Sequence, residues 1–215
     1  MSDAHKDHET SREYFQERAR TLCVIRVAVR SIRSVLLARS LGTMAEIHGD
    51  YFNYFAYGSN LLKERIHVQI KGADYVCNGR LPNYELFFAG HSHRWRGAAA
   101  SIRHNKGDEV WGCVWRVPNS FAAELDLQEH SYDRRTVHIE TNSGPIICRT
   151  YEMSETEGHE APPSPQYKQV IVRGAKEHLL PPEYLARLML IQHNRNTETV
   201  DVPISFLQQD HHVQG

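Results

Sequence analysis

At 215 residues the chain carries enough material to bury one core of ordinary domain size. A hydrophobic share of 40% beside 24% charged residues excludes a disordered or membrane-spanning class and suits a soluble globular protein. The formal net charge of −1 offers no footprint for nucleic acid and is compatible with a small zwitterionic ligand.

The four cysteines, Cys23, Cys77, Cys113 and Cys148, are scattered without C-x-x-C spacing, so they read as reduced residues. No Asn-x-Ser/Thr sequon occurs, in keeping with a cytoplasmic protein. Of the 14 histidines, His91 with His93 and His211 with His212 lie in polar, turn-like or terminal sequence. No cysteine or carboxylate stands at ligand spacing from them, so no metal site is expected.

In chain order, residues 1–17 are polar and charged. From 18 to 39 an apolar pattern is interrupted by Arg20, Arg26, Arg30, Arg33 and Arg39, too often charged to span a bilayer. Its Arg and Ser content has the texture of a mitochondrial presequence, but Asp3, Asp7, Glu9, Glu13 and Glu17 oppose that reading. Residues 1–49 are therefore read as a dispensable N-terminal extension. Met44 is a possible alternative start, and organelle import is the minority alternative.

The strands begin with the aromatic-rich run Tyr51–Ala56. A helix is predicted at 61–67, then strands at 74–79 and 84–89 joined by a turn at Arg80-Leu81-Pro82-Asn83. Strands at 98–103 and 110–117 flank Asn105-Lys106-Gly107-Asp108, a hairpin signal. Two more, 136–141 and 145–153, are joined by Asn142-Ser143-Gly144. Ser164 is a predicted N-cap with Pro165 at the first helical position; Tyr167, Val170, Ile171, Gly174 and Ala175 then recur at helical spacing. Pro181-Pro182 opens a second helix with Tyr184, Leu185, Leu188 and Met189 on one face. Beyond Asn194 the chain is polar and is expected to fray. Strands mixed with peripheral helices and no βαβ rhythm predict an α+β domain over residues 50–193, with 194–215 a polar tail.

Two places in this domain are candidates for chemistry. Tyr57-Gly58-Ser59-Asn60 ends the first strand and enters a helix, a turn whose backbone N–H groups attract anionic oxygen, and a plain capped turn is the other reading of the tetrapeptide. Farther on, Asn119-Ser120 can cap a short helix whose apolar face is Phe121, Ala122 and Leu125. Glu129 falls on that face, four positions after Leu125, where desolvation strengthens a carboxylate as a base. An exposed glutamate at a fraying helix end is the other reading of that position. Asp126 lies beside the stripe and suits a structural hydrogen bond; Glu124 points to solvent.

Taken together with Gly107-Asp108-Glu109-Val110-Trp111-Gly112, Leu125-Asp126-Leu127-Gln128-Glu129, Ala161-Pro162-Pro163-Ser164-Pro165-Gln166-Tyr167 and Gly174-Ala175-Lys176-Glu177, the turn closely resembles the γ-glutamylcyclotransferase family over residues 51–191. The resemblance implies a small mixed β-barrel of about six to seven strands flanked by helices, and release of 5-oxoproline from γ-glutamyl amino acids without a cofactor. It implies Glu129 as the catalytic acid/base, a homodimer, and substrate held against Tyr54, Phe55, Ala56, Tyr57, Gly58, Ser59 and Asn60 and against Tyr167. Trp95, Trp111 and Trp115 are expected in the core or the wall. Leu127 departs from the family, which usually has a second Glu there, and no Tyr stands immediately before Val137; Tyr132 or Thr136 is left open as the pocket residue. The alternatives are a same-fold cyclotransferase for glutathione or γ-glutamyl amines, and a non-catalytic member that binds ligand or protein.

Overall fold

In the computed structural model, which describes residues 49–129, 132–154 and 158–209, five strands close into a barrel. They run around it in the order β1 (Tyr51–Ala56), β3 (Gly97–Pro118), β2 (Asp74–Ser92), β4 (Tyr132–Thr141) and β5 (Gly144–Met153). Neighbours are antiparallel except β1 and β5, which meet in parallel at Tyr54 and Arg149. The mixed barrel flanked by helices is present, with five strands where six or seven were expected. The extension, its apolar and basic stretch, Met44, Cys23 and the His211-His212 pair all lie outside the described residues.

The lower strand count has a single cause. The predicted strands at 74–79 and 84–89 are one strand, and those at 98–103 and 110–117 are another. The two predicted turns lie opposite each other across this long ribbon: Pro82 pairs with Glu109 and Tyr84 with His104, so Asn83 alone faces residues 105–108. Asn83 takes φ 61° and Gly107 φ 90°, and the Asn83 Oδ1 accepts from the Gly107 N–H at 3.1 Å. Turn-forming residues on both strands thus produce a bulge, which bends a ribbon without reversing it. The reversal comes instead at residues 93–96.

Arg80, read from sequence as part of a turn, closes the barrel. It pairs in register with Glu140 at the β2–β4 seam, and its guanidinium reaches Glu140 at 2.5 Å and Glu109 at 2.8 Å. These groups are more than a third exposed, so each pair contributes at most about 1 kcal/mol and chiefly aligns the seam.

Helices pack around the barrel. A 3-10 turn, Ser59–Leu61, leads into α1 (Lys63–Gln69), and a second, Asn119–Phe121, leads into α2 (Ala122–Gln128). The caps expected from Ser59, Asn60, Asn119 and Ser120 are not made. In α3 (Pro165–Glu177) the expected cap is made: the fully buried Ser164 accepts the Tyr167 N–H at 3.1 Å. The stripe Tyr167, Val170, Ile171, Gly174 and Ala175 is buried, each of its large aliphatic side chains contributing about 1.5–3 kcal/mol. In α4 (Pro182–Leu190) Tyr184 and Leu188 are buried, whereas Met189, expected on the same face, is 51% exposed.

Two features seat these helices against the turn that follows β1. A Cβ on Gly174 would lie 2.4 Å from the Leu62 nitrogen and 2.6 Å from the Leu61 carbonyl carbon, so α3 passes flush against that backbone. The segment after Asn194, expected to fray, also returns to the domain. Val200, Val202, Ile204 and Leu207 are buried, and the short α5 (Ser205–Gln209) is tied to α1 through Glu64, which accepts from the Ser205 N–H at 2.7 Å. Four apolar residues among many polar ones suffice because they join the buried cluster of the rest of the domain.

Candidate active site

Glu129 ends α2, where its own N–H still bonds to the Leu125 carbonyl at 3.1 Å. Leu125 is fully buried and anchors the helix against the barrel. That anchor turns the Glu129 carboxyl into an open pocket, whose other walls are Tyr54, Tyr57, Gly58, Ser59, Asn60, Ala100, Tyr132, Tyr151 and Tyr167. The space, open solvent at its mouth included, is about 320 Å³.

One oxygen of Glu129 is held by two amides. Asn60 Nδ2 donates to Oε1 at 3.3 Å and Gln128 Nε2 donates to the same atom at 3.1 Å. Asn60 Nδ2 also donates to the Tyr54 hydroxyl at 3.1 Å. Burial drives the Glu129 pKa up to about 7, against the opposing pull of Arg65, the Gln128 hydrogen bond and Arg94. A carboxylate balanced there can both take and give a proton at neutral pH.

The turn supplies donors of another kind. The 3-10 geometry uses the Leu61 and Leu62 N–H groups, which bond to the Gly58 and Ser59 carbonyls at 3.0 and 3.1 Å. The N–H groups of Gly58, Ser59 and Asn60 donate to no acceptor among the described residues. Three unpaired donors in succession beside a pocket form a seat for an anionic oxygen.

Five tyrosines complete the walls, each fixed by its hydroxyl or its ring. Tyr57 donates to the Tyr151 carbonyl at 2.5 Å, and Tyr132 to the Ala100 carbonyl at 2.8 Å. Tyr167 accepts from the Ala100 N–H at 3.2 Å, while Trp95 and Phe88 pack on its ring at 4.8 and 6.2 Å between centroids. Tyr151 donates to Asp126 at 2.5 Å and meets Tyr54 edge-on at 5.9 Å. Burial raises the hydroxyl pKa values of Tyr54 and Tyr57 and brings that of Tyr167 to about 12, so these groups remain protonated donors.

Seven of the nine residues expected at the site therefore come together: Glu129, Tyr54, Tyr57, Gly58, Ser59, Asn60 and Tyr167. Phe55 and Ala56 do not. Successive side chains of β1 point to opposite faces, and the fully buried Phe55 ring packs against β3 at Gly112 while Ala56 ends the ladder opposite Cys113. Of the two residues left open, Tyr132 lines the pocket and Thr136 is exposed on β4. Asp126 faces Tyr151, Arg134 and Arg149 instead of the pocket.

Sequence reasoning missed Tyr151 and Arg65. Nothing in the alternation of β5 distinguished Tyr151. Arg65 carried a signal: with Leu62 and Ile66 it occupies the buried face of α1, and it is 2% exposed. Burial lowers its pKa, and the Glu129 charge opposes that shift. Of the expected histidine pairs, His91 and His93 sit 5.2 Å apart, and no group of three metal-ligating side chains occurs among the described residues.

A family model described as AIG2-like matches residues 109–188. The γ-glutamylcyclotransferase of Mus musculus is 46% identical over 155 residues, which cover 68% of this chain and 81% of the relative. The chain belongs to the γ-glutamylcyclotransferase family. The Homo sapiens family member is 44% identical over 162 residues, covering 71% of this chain and 85% of the relative. A solved structure of a γ-glutamyl cyclotransferase is 40% identical with a TM-score of 0.69, covering 74% of this chain and 97% of that one. Membership makes the chain an enzyme of the cyclotransferase type, and its family segments now have places in the fold. Leu125-Asp126-Leu127-Gln128-Glu129 delivers the carboxylate, Ser164-Pro165-Gln166-Tyr167 caps α3 and sets a wall, and Gly174 lets α3 dock on the turn.

Proposed function

We propose that this cyclotransferase converts γ-glutamyl amino acids to 5-oxoproline and the free amino acid, with Glu129 as the group that moves the proton. The observation that carries the reading is one half-buried carboxylate, poised near neutrality, in the same tyrosine-lined pocket as a turn with three unpaired backbone N–H groups.

In the reaction Glu129 takes a proton from the substrate α-ammonium. The freed amine attacks the γ-carbonyl carbon of the same molecule and closes a five-membered ring. The N–H groups of Gly58, Ser59 and Asn60 face the oxyanion as it forms. The amide C–N bond then breaks as Glu129 gives its proton to the departing amine nitrogen; the ring nitrogen passes its surplus proton to the vacated carboxylate, which hands it on to the released amine, leaving a lactam N–H and the free amino acid. No water is consumed and no second nucleophile is required. Because attacking and attacked atoms belong to one molecule, holding it curled brings effective molarities of roughly 10⁵–10⁸ M within reach. The proton transfer adds roughly 10²–10⁴-fold.

Homodimerisation and a cytoplasmic location belong to the same proposal and rest on the family resemblance and the composition. Sedimentation of the purified chain and fractionation of cells expressing it test these two points. The reaction is tested by 5-oxoproline release from γ-glutamyl-alanine and from glutathione. Release from the dipeptide supports the reading, release from glutathione alone moves the substrate assignment, and release from neither refutes it.

A further inference from the structure

Tyr151 of β5 touches both halves of the pocket. Its carbonyl accepts from the hydroxyl of Tyr57, the residue that opens the turn after β1, at 2.5 Å. Its ring meets Tyr54 edge-on, and Tyr54 accepts from the same Asn60 amide that reaches Glu129. Its own hydroxyl donates to Asp126 Oδ1 at 2.5 Å. Asp126 belongs to α2, three positions before Glu129 and so about one helical turn from it. The contacts close a ring: Asp126 to Tyr151, Tyr151 to Tyr54, Tyr54 to Asn60, Asn60 to Glu129, and back along the helix to Asp126.

The helix needs such a fastening. Seven residues are too few to hold a helix by themselves, and no side chain caps the N-terminus of α2. Its one buried side chain is Leu125, while Leu127 is 75% exposed. An apolar contact fixes how deep the helix lies, but it is non-directional and leaves rotation about the axis free. A hydrogen bond from a buried hydroxyl to a carboxylate is short, strong and directional. With Leu125 it gives two fixed points on adjacent residues, and together they set the rotation that aims Glu129. Arg134 and Arg149 also face Asp126, each at 3.6 Å, but Asp126 is 42% exposed and these ion pairs are well screened.

We propose that the Tyr151–Asp126 pair positions Glu129, with Asp126 setting the rotation of α2 and Tyr151 referring it to the turn across the pocket. Neither residue exchanges a proton with the substrate. Tyr151 stays protonated, because burial and the bond to Asp126 both raise its hydroxyl pKa. The proposal deepens the cyclotransferase reading, on which its kinetic consequences rest.

Three variants separate the contributions. Tyr151→Phe keeps the ring and removes the hydroxyl, Asp126→Ala removes the acceptor, and Asp126→Asn keeps an acceptor without the charge. The first readout is the titration of Glu129 itself, followed by NMR of isotope-labelled glutamate Cδ, its resonance identified by its loss in Glu129→Gln. Wild type should titrate near pH 7. In Tyr151→Phe and Asp126→Ala the loosened helix end admits water, so the midpoint should fall by about one unit or more. The second readout is turnover of γ-glutamyl-alanine. There kcat should fall about ten- to hundredfold, the cost of a carboxylate misplaced by about 1 Å, with KM within about threefold of wild type. Asp126→Asn should restore both readouts, and the Tyr151→Phe, Asp126→Ala double variant should be no worse than the poorer single one.

An unchanged midpoint in both Tyr151→Phe and Asp126→Ala, an equal fall in Asp126→Asn, or losses that multiply in the double variant would overturn the pair. So would a Tyr151→Phe defect confined to KM, which would make Tyr151 a substrate contact. If Asp126→Ala does not fold, Tyr151→Phe set against Asp126→Asn decides. Absence of 5-oxoproline release from wild type brings down the reaction, and the NMR midpoints still decide the positioning.

Discussion

Asn60 and Glu129 lie 69 positions apart in the chain and 3.3 Å apart at their side chains. One comes from the turn after β1, the other from the end of a seven-residue helix on the far side of the long ribbon. Their meeting brings the turn with its unpaired N–H groups and the carboxylate into one pocket. The consequences of that junction can be measured.

Glu129→Gln keeps the size and the amide contacts of the residue and removes its proton chemistry. Turnover of γ-glutamyl-alanine should fall by roughly 10²–10⁴-fold, with circular dichroism unchanged. In wild type, kcat/KM should rise through pH about 7 as Glu129 ionises, because the base must be charged to accept a proton. A pH profile flat from 5 to 9 would contradict this role.

The same group sets a stability trend of the opposite sense. Its folded pKa, about 7, exceeds the ordinary 4.5, so between those values the folded chain holds more proton than the unfolded one. Stability therefore declines as pH rises from 4.5 to 7 and levels off above. Glu129→Gln lacks this slope and should be more stable than wild type at pH 8, by up to about 3 kcal/mol, converging with it below pH 4.5. Urea melts of both proteins at pH 5 and 8 provide the comparison.

Gly58 leaves its side of the pocket open: a Cβ there would stand 3.4 Å from the Tyr167 hydroxyl and 3.5 Å from the Ala100 Cβ. Alanine fits without strain on the fold, but it narrows the space between the turn and Tyr167. Gly58→Ala should raise KM for γ-glutamyl-alanine several-fold with little change in Tm. Steady-state kinetics and calorimetry separate the two effects.

Tyr167→Phe removes the acceptor for the Ala100 N–H and leaves that buried donor unpaired. A loss of about 1–3 kcal/mol in urea unfolding is expected, together with lower activity as β3 relaxes away from the pocket.

Gly174→Ala would drive a methyl group into the Leu61–Leu62 backbone, forcing α3 off the turn. Destabilisation by about 1–3 kcal/mol is expected, and kcat should fall with it if the turn holds the oxyanion as proposed. An alanine variant with wild-type stability would mean that the turn moves freely.

What could be read from the chain was whatever has a local cause. The β1 run, the Ser164 cap, the buried stripe of α3 and the placing of Glu129 four residues after Leu125 each depend on neighbours a turn or less away. Even the two misread turns were correctly sensed as irregular backbone. Whether Asn83 and Gly107 reverse the chain or bulge it depends on what lies across the ribbon, and a single strand contains no information about its partner. For the same reason the strand count came out high, Phe55 and Ala56 were grouped with a pocket whose walls omit them, and the apolar residues after Asn194 were passed over. The tertiary structure alone decided that Tyr132 and Tyr151 enter the pocket, that Arg65 is buried beside it, and that two amides hold one oxygen of Glu129. Those are contacts between elements brought together by barrel closure, and their energies exist only after the chain has folded.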